Sequence, residues 1–354
     1  MMAGGGEIRV GLIGYGYAGR TFHAPLISAT GGYRLTAIAS RDAARVHADL
    51  PGLAVEADPL ALINRDDIDL VVLASPNETH RPLAEAALAS GKHVVVDKPF
   101  TLDLADARAV VAAARRAGRI VSVFQNRRWD SDFLAVRKAI ADGLIGEVRH
   151  FESHIDRFRP QVRPRWREQA VPGAGLWLDL GPHLVDQALC LFGMPHRVQA
   201  NFAAQRKGAV VEDWVHVILD YGPRRVILHA GMLACGGGHR FVAHGDKGTL
   251  VKRFADIQED QLRAGMRPGA TGWGEDPDAM LHFDPSGTIR DIPVPAGDHR
   301  RYYAELRDAL PGGGDGPVPP GAALAVMAVI EAASRSSRSG SAVVPHIAGP
   351  DKAD

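Results

Sequence analysis

The stretch Ile8–Gly19 reads I-R-V-G-L-I-G-Y-G-Y-A-G. Its first part is apolar and branched, which is typical of a buried parallel strand, and the apolar run stops at Gly14. Gly14, Gly16 and Gly19 follow at the spacing G-x-G-x-x-G, which gives a tight turn, a close approach of backbone to a pyrophosphate, and helix packing on the strand. The next segment, Arg20–Ala29, is predicted to be a helix whose first amides bind phosphates. The stretch therefore predicts a dinucleotide-binding turn.

Length and composition limit the classes of protein that remain. A chain of 354 residues suggests about two domains, and 46% hydrophobic with 23% charged residues is typical of a soluble globular protein. The net charge is zero, and no basic block or long apolar run is present, so we expect neither nucleic-acid nor membrane binding. Cys190 and Cys235 lack a metal-type spacing, and the first residues do not resemble a signal peptide. These features predict a cytoplasmic protein with reduced thiols.

A second predicted strand, Arg34–Ser40, ends about 20 residues past the glycines, where an NAD-binding protein carries an acid for the adenosine ribose. This chain has Ser40 followed by Arg41 instead. A serine leaves room for a 2′-phosphate, and a guanidinium supplies forked donors and a flat face for adenine. The pattern favours NADP over NAD as the cofactor. The alternative is that Arg41 only begins the next loop, with Asp42 as its partner.

Two further apolar strands, Ile68–Ser75 and Lys92–Pro99, are predicted in the same sheet. Ligands of open α/β sheets bind beyond the carboxyl ends of the strands, so the residues that follow each strand are candidates for the cofactor crevice. These candidates are Ser75, Pro76, Asn77 and Lys98. Lys98 could donate to a substrate hydroxyl, although a lysine after a strand is commonly only exposed. His80 could contact cofactor or substrate, or it could cap the next helix or face solvent.

Strand–helix alternation is long enough to complete a doubly wound sheet by Gln125. We predict a Rossmann domain over residues 1–125, a substrate-binding and oligomerisation domain over 126–340, and a tail over 341–354. Asn126 and Arg127 stand directly after the last strand, in the sequence N-R-R-W-D. They suit a polyhydroxylated or anionic substrate, and they suit a salt bridge between the domains equally well.

A long basic loop follows at residues 156–171, with the sequence D-R-F-R-P-Q-V-R-P-R-W-R-E-Q-A-V. Loops of this length inside compact domains tend to be functional. Arg159, Arg163, Arg165 and Trp166 offer forked donors and a flat apolar face, which suit a substrate rich in hydroxyl groups. A basic loop that covers the cofactor phosphates is the alternative.

The segment after this loop contains Asp179, His183 and Asp186 at offsets of four and three residues. These offsets place the three side chains on one face if the helix is continuous. Pro182 lacks the N–H that would bond to Leu178, so the helix either kinks there or begins there.

The rest of the chain alternates in the manner of an antiparallel sheet with glycine-rich turns, and it closes with two helices. The predicted fold class is α/β. A doubly wound parallel Rossmann sheet is followed by an α+β domain built on a largely antiparallel open sheet.

Four signals now occur in one order: the glycine turn, D-K-P at Asp97–Pro99, Gly173–Gly175, and D-L-G-P-H-L-V-D at Asp179–Asp186. Together they resemble the Gfo/Idh/MocA family of NAD(P)-dependent oxidoreductases over nearly the whole chain. The family carries E-K-P, and Asp97 keeps the charge of its glutamate. Further motifs are similar to those of NADP-dependent scyllo-inositol dehydrogenases. These are F-H-A-P at Phe22–Pro25, N-R-R-W-D at Asn126–Asp130, R-P-R-W-R-E at Arg163–Glu168 and Q-E-D-Q-L-R-A-G at Gln258–Gly265.

The resemblance implies hydride transfer between nicotinamide and a secondary hydroxyl of a cyclic polyol or sugar of the inositol type. In that reaction His183 is the candidate general base, because an imidazole titrates near neutral pH. Lys98 would donate to the reacting oxygen, and Asp179 would bind the same hydroxyl or hold Lys98 and His183 in register. The implied cofactor-binding residues are Gly14, Tyr15, Gly16, Tyr17, Ala18, Gly19, Ser40, Arg41, Ser75, Pro76, Asn77, His80 and Lys98. The resemblance also implies homodimers or homotetramers that pair through the C-terminal sheet.

Two other functions compete with this one. Asp179, His183 and Asp186 could hold a metal ion, but the sequence has no H-E-x-x-H, no cysteine set and no clear fourth ligand, so we expect no metal. A non-catalytic NADP-binding sensor is the second competitor, because a Rossmann fold alone does not imply catalysis. The combination of Lys98, Asp179 and His183 argues against the sensor, which has no need of a proton relay.

Overall fold

Strand β1 (Ile8–Ile13) is central to a parallel sheet in the first of two compact units. The computed structural model describes residues 6–236, 238–312 and 314–347. The other strands of this sheet are β2 (Tyr33–Ala39), β3 (Ala54–Glu56), β4 (Leu70–Leu73), β5 (His93–Val96) and β6 (Val121–Val123). Their order is β3-β2-β1-β4-β5-β6, and each neighbouring pair is parallel. Strands β2 and β3 lie on one side of β1, and β4, β5 and β6 lie on its other side. This reversal of strand order between β1 and β4 is the arrangement of a doubly wound sheet.

The helices between these strands begin and end where their sequence dictates. They are α1 (Ala24–Ala29), α2 (Ala43–Asp49), α3 (Pro59–Ile63), α4 (His80–Ala89) and α5 (Leu104–Ala117). The Asp103 side chain accepts a hydrogen bond from the Asp106 amide and caps α5. Gly118 ends the same helix in the left-handed conformation, with φ of 60°.

Branched apolar residues explain the parallel sheet. Strand β4 reads L-V-V-L, and all four residues are fully buried, as expected for a strand covered by helices on both faces. Val10 and Leu12 of β1 are equally buried. The predicted doubly wound parallel sheet is confirmed. Strand β3 was not predicted, because three half-buried residues give no readable period.

His93, the first residue of β5, makes the stability of this unit dependent on pH. Its Nδ1 accepts a hydrogen bond of 3.1 Å from the Ile120 amide, so the folded protein requires a neutral ring. Burial and, to a smaller extent, the charge of Arg119 lower the pKa of His93 to about 4, against the opposing effect of Asp69. Because this pKa lies below the ordinary value of 6.5, the stabilisation is complete above pH 6.5 and is lost as the pH falls towards 4.

We expect the free energy of unfolding to fall by about 1–2 kcal/mol between pH 7 and pH 4.5 through His93, after allowance for its partial exposure. Urea denaturation at both pH values measures this change. His93→Asn keeps an acceptor for the Ile120 amide and cannot titrate, so its loss between the two pH values should be smaller. An equal loss in wild type and variant would contradict this role of His93.

The second unit is built on an open sheet of mostly antiparallel strands. They are β7 (Val148–Asp156), β8 (Arg197–Ala203), β9 (Trp214–Tyr221), β10 (Arg224–Gly231), β11 (Phe241–Gly245), β12 (Gly248–Lys252), β13 (Met280–Phe283) and β14 (Ile289–Ile292). The order is β14-β13-β12-β11-β7-β10-β9-β8. Only β7 and β10 run parallel among the described strands of this sheet. The predicted largely antiparallel sheet is confirmed.

One face of this second sheet is covered by helices. Helices α6 (Ser131–Ala141) and α7 (Leu176–Phe192) contribute to a common core with the alternate inward residues of the central strands. Phe151 and Leu228, for example, are fully buried beside Leu184 of α7. Phe151 stands between His150 and Glu152, and Leu228 stands between the less buried Ile227 and His229, so burial along both strands alternates with a period of two.

Two later segments of chain belong to the first unit, Gln258–Trp273 and Asp298–Leu324. They contain helices α8 (Gln258–Arg263) and α9 (Arg300–Ala309). Tyr303 of α9 is fully buried; its hydroxyl lies 2.7 Å from His23 Nδ1, and its carbonyl accepts from Tyr33. The domain division predicted from sequence gave both segments to the second domain, since nothing in α9 reveals which core its aromatic side chains join.

Helix α10 (Pro320–Ser339) closes the described part of the chain, and Trp177 of α7 donates 3.1 Å to its Ile330 carbonyl. Val343, within the predicted tail, pairs with Val198 of β8 in an antiparallel bridge. Residues 1–5 and 348–354 of the predicted first domain and tail lie outside the described residues. None of the described helices is both long enough and apolar enough to span a bilayer.

Candidate active site

The predicted cofactor-binding residues of the first unit lie at one edge of its sheet. The glycine turn follows β1, Ser40 and Arg41 follow β2, Ser75–Asn77 follow β4, and Lys98 follows β5. These strands are parallel neighbours, so their carboxyl ends meet at the same edge. The crevice outside these ends, at the point where the strand order reverses, is where open α/β sheets bind ligands.

The glycine turn has the shape that a dinucleotide requires. Gly14 adopts a φ of 97°, and any Cβ there would be 3.0 Å or less from the backbone of Ala74 and Ser75. A Cβ on Gly19 would strike the carbonyl of Gly14. A Cβ on Gly16 would instead meet nothing within 4 Å. The fold therefore requires glycine at positions 14 and 19, where a side chain would clash with backbone. At Gly16 the space is open and fits a pyrophosphate. A π-helical turn, Gly19–His23, continues from here into α1.

Gly16→Ala is expected to separate binding from folding. The new methyl group contacts no protein atom, so the melting temperature should stay unchanged, but the methyl group fills the place where a pyrophosphate must approach backbone. Titration with NADP should then show affinity lower by about tenfold or more. Gly19→Ala is the matched comparison and should destabilise the fold by about 1–3 kcal/mol or more through overpacking. Undiminished NADP affinity in Gly16→Ala would contradict this placement of the phosphates.

The Arg41 guanidinium makes no ion pair within the described part of the chain. Asp42, its sequence neighbour, caps α2 by accepting 3.0 Å from the Arg45 amide and pairs with the Arg45 side chain at 3.2 Å. Asp42 is thus not the partner that the alternative interpretation of Arg41 required. Ser40 Oγ accepts from the Asp42 amide at 3.1 Å, which fixes the turn after β2. Arg41 stays exposed at the end of that strand.

His80 lies between the loop that follows β4 and the loop that follows β5. It is buried; its Nδ1 lies 2.9 Å from the Pro99 carbonyl and its Nε2 lies 3.1 Å from the Ser75 carbonyl. Burial lowers the pKa of His80, and a neutral ring donates to one of these two carbonyls at a time. We therefore interpret His80 as a structural link between the ends of β4 and β5. It neither faces solvent nor donates a side-chain cap to α4.

Lys98 follows a carboxylate that is held in its charged form. Asp97 Oδ1 accepts 2.7 Å from the Lys98 amide, and Asp97 Oδ2 lies 3.9 Å from His23 Nε2. Burial alone would raise the pKa of Asp97, but the nearby side chains of His23, Lys98 and His80 hold it below its usual range. The peptide bond from Lys98 to Pro99 is cis. Asp97 therefore fixes the turn that carries Lys98.

In the second unit, helix α7 runs without interruption from Leu176 to Phe192, with Pro182 inside it. Of the two possibilities that Pro182 left open, a helix beginning at that residue is wrong. The N-terminus has an unusual start, since Gly175 adopts a φ of 98° and carries no side-chain cap. Glu212 serves instead, because its carbonyl accepts from the Leu176 amide and its Oε1 accepts 3.2 Å from the Trp177 amide.

Continuity of α7 places Asp179 and His183 one turn apart on the same face. Asp179 Oδ1 lies 3.3 Å from Nε of Arg167, which also stacks on Trp166 at 4.6 Å from the ring centroid. His183 is buried with about 5% of its surface exposed. The helix thus presents a carboxylate, held by a guanidinium, beside an imidazole that can exchange a proton.

Asp186 lies on the same helix as Asp179 and His183 but has a different role. Arg128 donates to both of its carboxylate oxygens, at 2.8 and 2.6 Å. This bidentate ion pair anchors α7 to the turn Asn126–Trp129. Arg127 pairs with the buried Asp130 at 3.2 Å, and Asn126 Nδ2 lies 3.3 Å from His299 Nδ1 within the first unit. Asn126 and Arg127, both predicted substrate ligands, therefore already have protein partners.

The basic loop is tied down by a buried ion-pair network. Arg206 is buried; it pairs with Glu168 at 3.0 Å and Asp213 at 2.8 Å, and it donates to the carbonyls of Arg159 and Gln161. Glu168 also accepts 2.7 Å from Arg165 Nε. Arg165, a predicted substrate ligand, is thus partly used inside the loop.

Four residues of this region were missed by the sequence interpretation: Arg167, Glu168, Arg206 and Glu212. The i,i+3 spacing of Arg165 and Glu168 was a readable signal for their ion pair. Arg206 and Glu212 lie in an irregular stretch, 35 to 47 residues beyond the residues that they bind. No local pattern identifies contacts over such separations.

A doubly wound sheet with a glycine turn at its reversal point, followed by a unit whose helix carries an Asp–His pair, defines a two-domain dinucleotide-binding oxidoreductase. The chain belongs to the Gfo/Idh/MocA oxidoreductase family. Residues 8–125 match its NAD-binding Rossmann fold, and residues 137–345 match its C-terminal alpha/beta domain.

Individual relatives extend along nearly the whole chain. An uncharacterized oxidoreductase of Escherichia coli, YdgJ, is 50% identical over 94% of this chain and 97% of its own. The scyllo-inositol 2-dehydrogenase (NADP(+)) IolW of Bacillus subtilis is 36% identical over 94% of each chain. A solved structure from Klebsiella pneumoniae is 52% identical, with a TM-score of 0.92 over 97% of this chain and 96% of that one.

Proposed function

We propose that this oxidoreductase transfers a hydride between the nicotinamide of NADP and a secondary hydroxyl carbon of a cyclic polyol or sugar of the inositol type. The observation that carries the proposal is the Asp179–His183 pair on one face of the continuous helix α7. A carboxylate and an imidazole at this spacing can bind a hydroxyl and remove its proton. The similarity to a scyllo-inositol 2-dehydrogenase supports the class of substrate.

Different residues of this chain orient the substrate, stabilise charge on the reacting oxygen and transfer the proton. A bound nicotinamide supplies hydride acceptance or donation at its C4. His183 takes the hydroxyl proton as the alcohol is oxidised and returns it in the reverse direction. Lys98 donates a hydrogen bond to the reacting oxygen and stabilises the negative charge that develops there. Asp179, held by Arg167, accepts a hydrogen bond from the substrate and fixes its orientation.

We propose NADP as the preferred cofactor because of the end of β2. Ser40 stands where an acid would repel a 2′-phosphate, and the exposed Arg41 guanidinium makes no ion pair among the described residues. The name of the Bacillus subtilis relative includes NADP(+), which supports the same preference. The phosphates of the dinucleotide would lie against the amides of the turn from Gly14 to Gly19.

Arg41→Ala is expected to weaken NADP selectively. Loss of a charge-assisted contact of about 1.5–3 kcal/mol should raise the KM for NADP by roughly tenfold to a hundredfold. The KM for NAD should change by less than about twofold, because NAD has no 2′-phosphate for Arg41 to contact. Steady-state kinetics with both cofactors measures the ratio. An unchanged NADP:NAD preference would show that Arg41 does not select the cofactor.

The proposed reaction is tested by absorbance of the reduced nicotinamide. Purified protein is incubated with scyllo-inositol, myo-inositol or glucose, each with NADP and with NAD. Reduction of NADP by a cyclic polyol supports the proposal. Tight NADP binding without reduction by any of these polyols would instead favour a non-catalytic sensor.

A further inference from the structure

The basic loop at residues 156–171 holds positive charge that the protein does not neutralise. Residues 157–168 contain five arginines and a single acid, Glu168. Glu168 is already paired with Arg165 and Arg206, and Asp179 is paired with Arg167. Among the residues that the structure describes, the guanidinium groups of Arg159 and Arg163 have no hydrogen-bond or ion-pair partner. Their charge is available to a ligand.

The position of Arg159 is fixed by backbone. Its amide donates 2.8 Å to the Met232 carbonyl, and its own carbonyl accepts 3.2 Å from buried Arg206. Phe158 has 56% of its surface exposed, whereas Arg159 is only partly exposed. A side chain on a fixed backbone needs less ordering when it binds, which favours a preformed subsite.

The arginines of this loop repel one another. Burial lowers the pKa of Arg159, and the charges of Arg157, Arg163 and Arg165 lower it further. The Asp179 carboxylate acts in the opposite direction, and it lies beside the loop, because its Oδ1 is 3.3 Å from Nε of Arg167. An oxyanion that binds between these guanidinium groups, beside Asp179, reduces their mutual repulsion.

We infer that Arg159, with Arg163 and Arg165, forms an anion subsite next to Asp179, and that the natural substrate is a cyclic polyol or sugar bearing a carboxylate or phosphate group. This inference rests on the proposed function and narrows its substrate class. The guanidinium fork of Arg159 binds the oxyanion, while Asp179 and His183 contact a hydroxyl of the same molecule. Arg167 neutralises Asp179, which would otherwise repel the anionic group.

The test is isothermal titration of the NADP-loaded protein with D-glucose, D-glucuronate and D-glucose 6-phosphate. The three share a ring and differ in one substituent, so a difference in affinity reports the anion. We expect at least one anionic ligand to bind about tenfold or more tightly than glucose, and the difference to shrink at high salt. The carboxylate and phosphate arms show which oxyanion the subsite takes.

Arg159→Gln should abolish this preference, whereas Arg338→Gln, an exposed arginine at the end of α10, should keep it. Equal affinity for all three ligands, or no binding of either anion, would overturn the inference. So would a loss of NADP affinity in Arg159→Gln with the sugar preference intact, which would assign these arginines to the cofactor phosphates.

Turnover of scyllo-inositol, myo-inositol, D-glucose, D-glucuronate and D-glucose 6-phosphate with NADP is measured on the same preparation, so the two proposals fail separately. Turnover of the neutral polyol without any anion preference would remove the subsite and leave the proposed reaction. An anion preference that depends on Arg159, without turnover of any polyol, would leave the subsite and remove the proposed reaction.

Discussion

His183→Ala is expected to lower the turnover number by about 10²–10⁴-fold, the usual contribution of a general base. The affinity for NADP should not change, because His183 belongs to the second unit and the glycine turn to the first. His183 lies in the middle of α7 and replacement by alanine favours helix, so the fold should persist. Steady-state kinetics together with NADP titration measures both quantities.

His196→Ala is the matched control, since His196 is an exposed histidine of the same unit outside α7. It should retain wild-type turnover. If His183→Ala also keeps near-wild-type turnover, His183 is not the base, and the proton must leave through another group.

Arg240→Met is expected to cause the largest loss of stability. Arg240 is buried and donates 3.0 Å to Asp132 Oδ2, 2.7 Å to Ser153 Oγ and 2.6 Å to Gln187 Oε1. Burial raises the pKa of Asp132 to about 7 while the charge of Arg240 opposes that shift. Removal of Arg240 leaves a buried carboxyl without its cation, which costs about 3–5 kcal/mol.

Urea denaturation of Arg240→Met measures this loss. Arg253→Met is the comparison, because Arg253 pairs with Asp278 at 2.6 Å but keeps about half of its surface exposed, so it should cost only about 0–1 kcal/mol. Adding Asp132→Asn to Arg240→Met should restore part of the stability by removing the orphaned charge. Equal losses for Arg240→Met and Arg253→Met would contradict the account of this buried network.

Activity should fall with the same substitution. Gln187 lies one turn beyond His183 on α7, and it links Arg240 to the carbonyl of Arg127 at 2.9 Å. Loss of Arg240 thus frees a side chain that holds the position of α7, the helix that carries the proposed base. In the proposed reaction Arg240 is a positioning residue, because its connection with His183 is through α7.

The first sheet was predictable because its information is local. Branched apolar strands and the glycines at Gly14, Gly16 and Gly19 each identify their role within a few residues. Strand β13 and helix α6 were missed, although both are regular in the structure. The return of α9 to the first unit depends on Tyr303 meeting His23 and Tyr33 across about 270–280 residues, which no local period records.

The candidate site was likewise predictable from the sequence only where the signal is local. The spacing of Asp179 and His183 could be read directly from the sequence, because it needs only a continuous helix. The partner of Asp186 could not be read, because Arg128 lies 58 residues away in the chain. Likewise, the fixed shape of the basic loop depends on Arg206, which its own sequence does not contain.

In the proposed reaction a hydride passes directly between a polyol carbon and the nicotinamide. Incubation with NADP and ring-deuterated scyllo-inositol, followed by mass spectrometry of the reduced cofactor, tests it most directly. We predict that each reduced cofactor carries one deuterium. Reduced cofactor without deuterium, or no reduced cofactor at all, would contradict the claim.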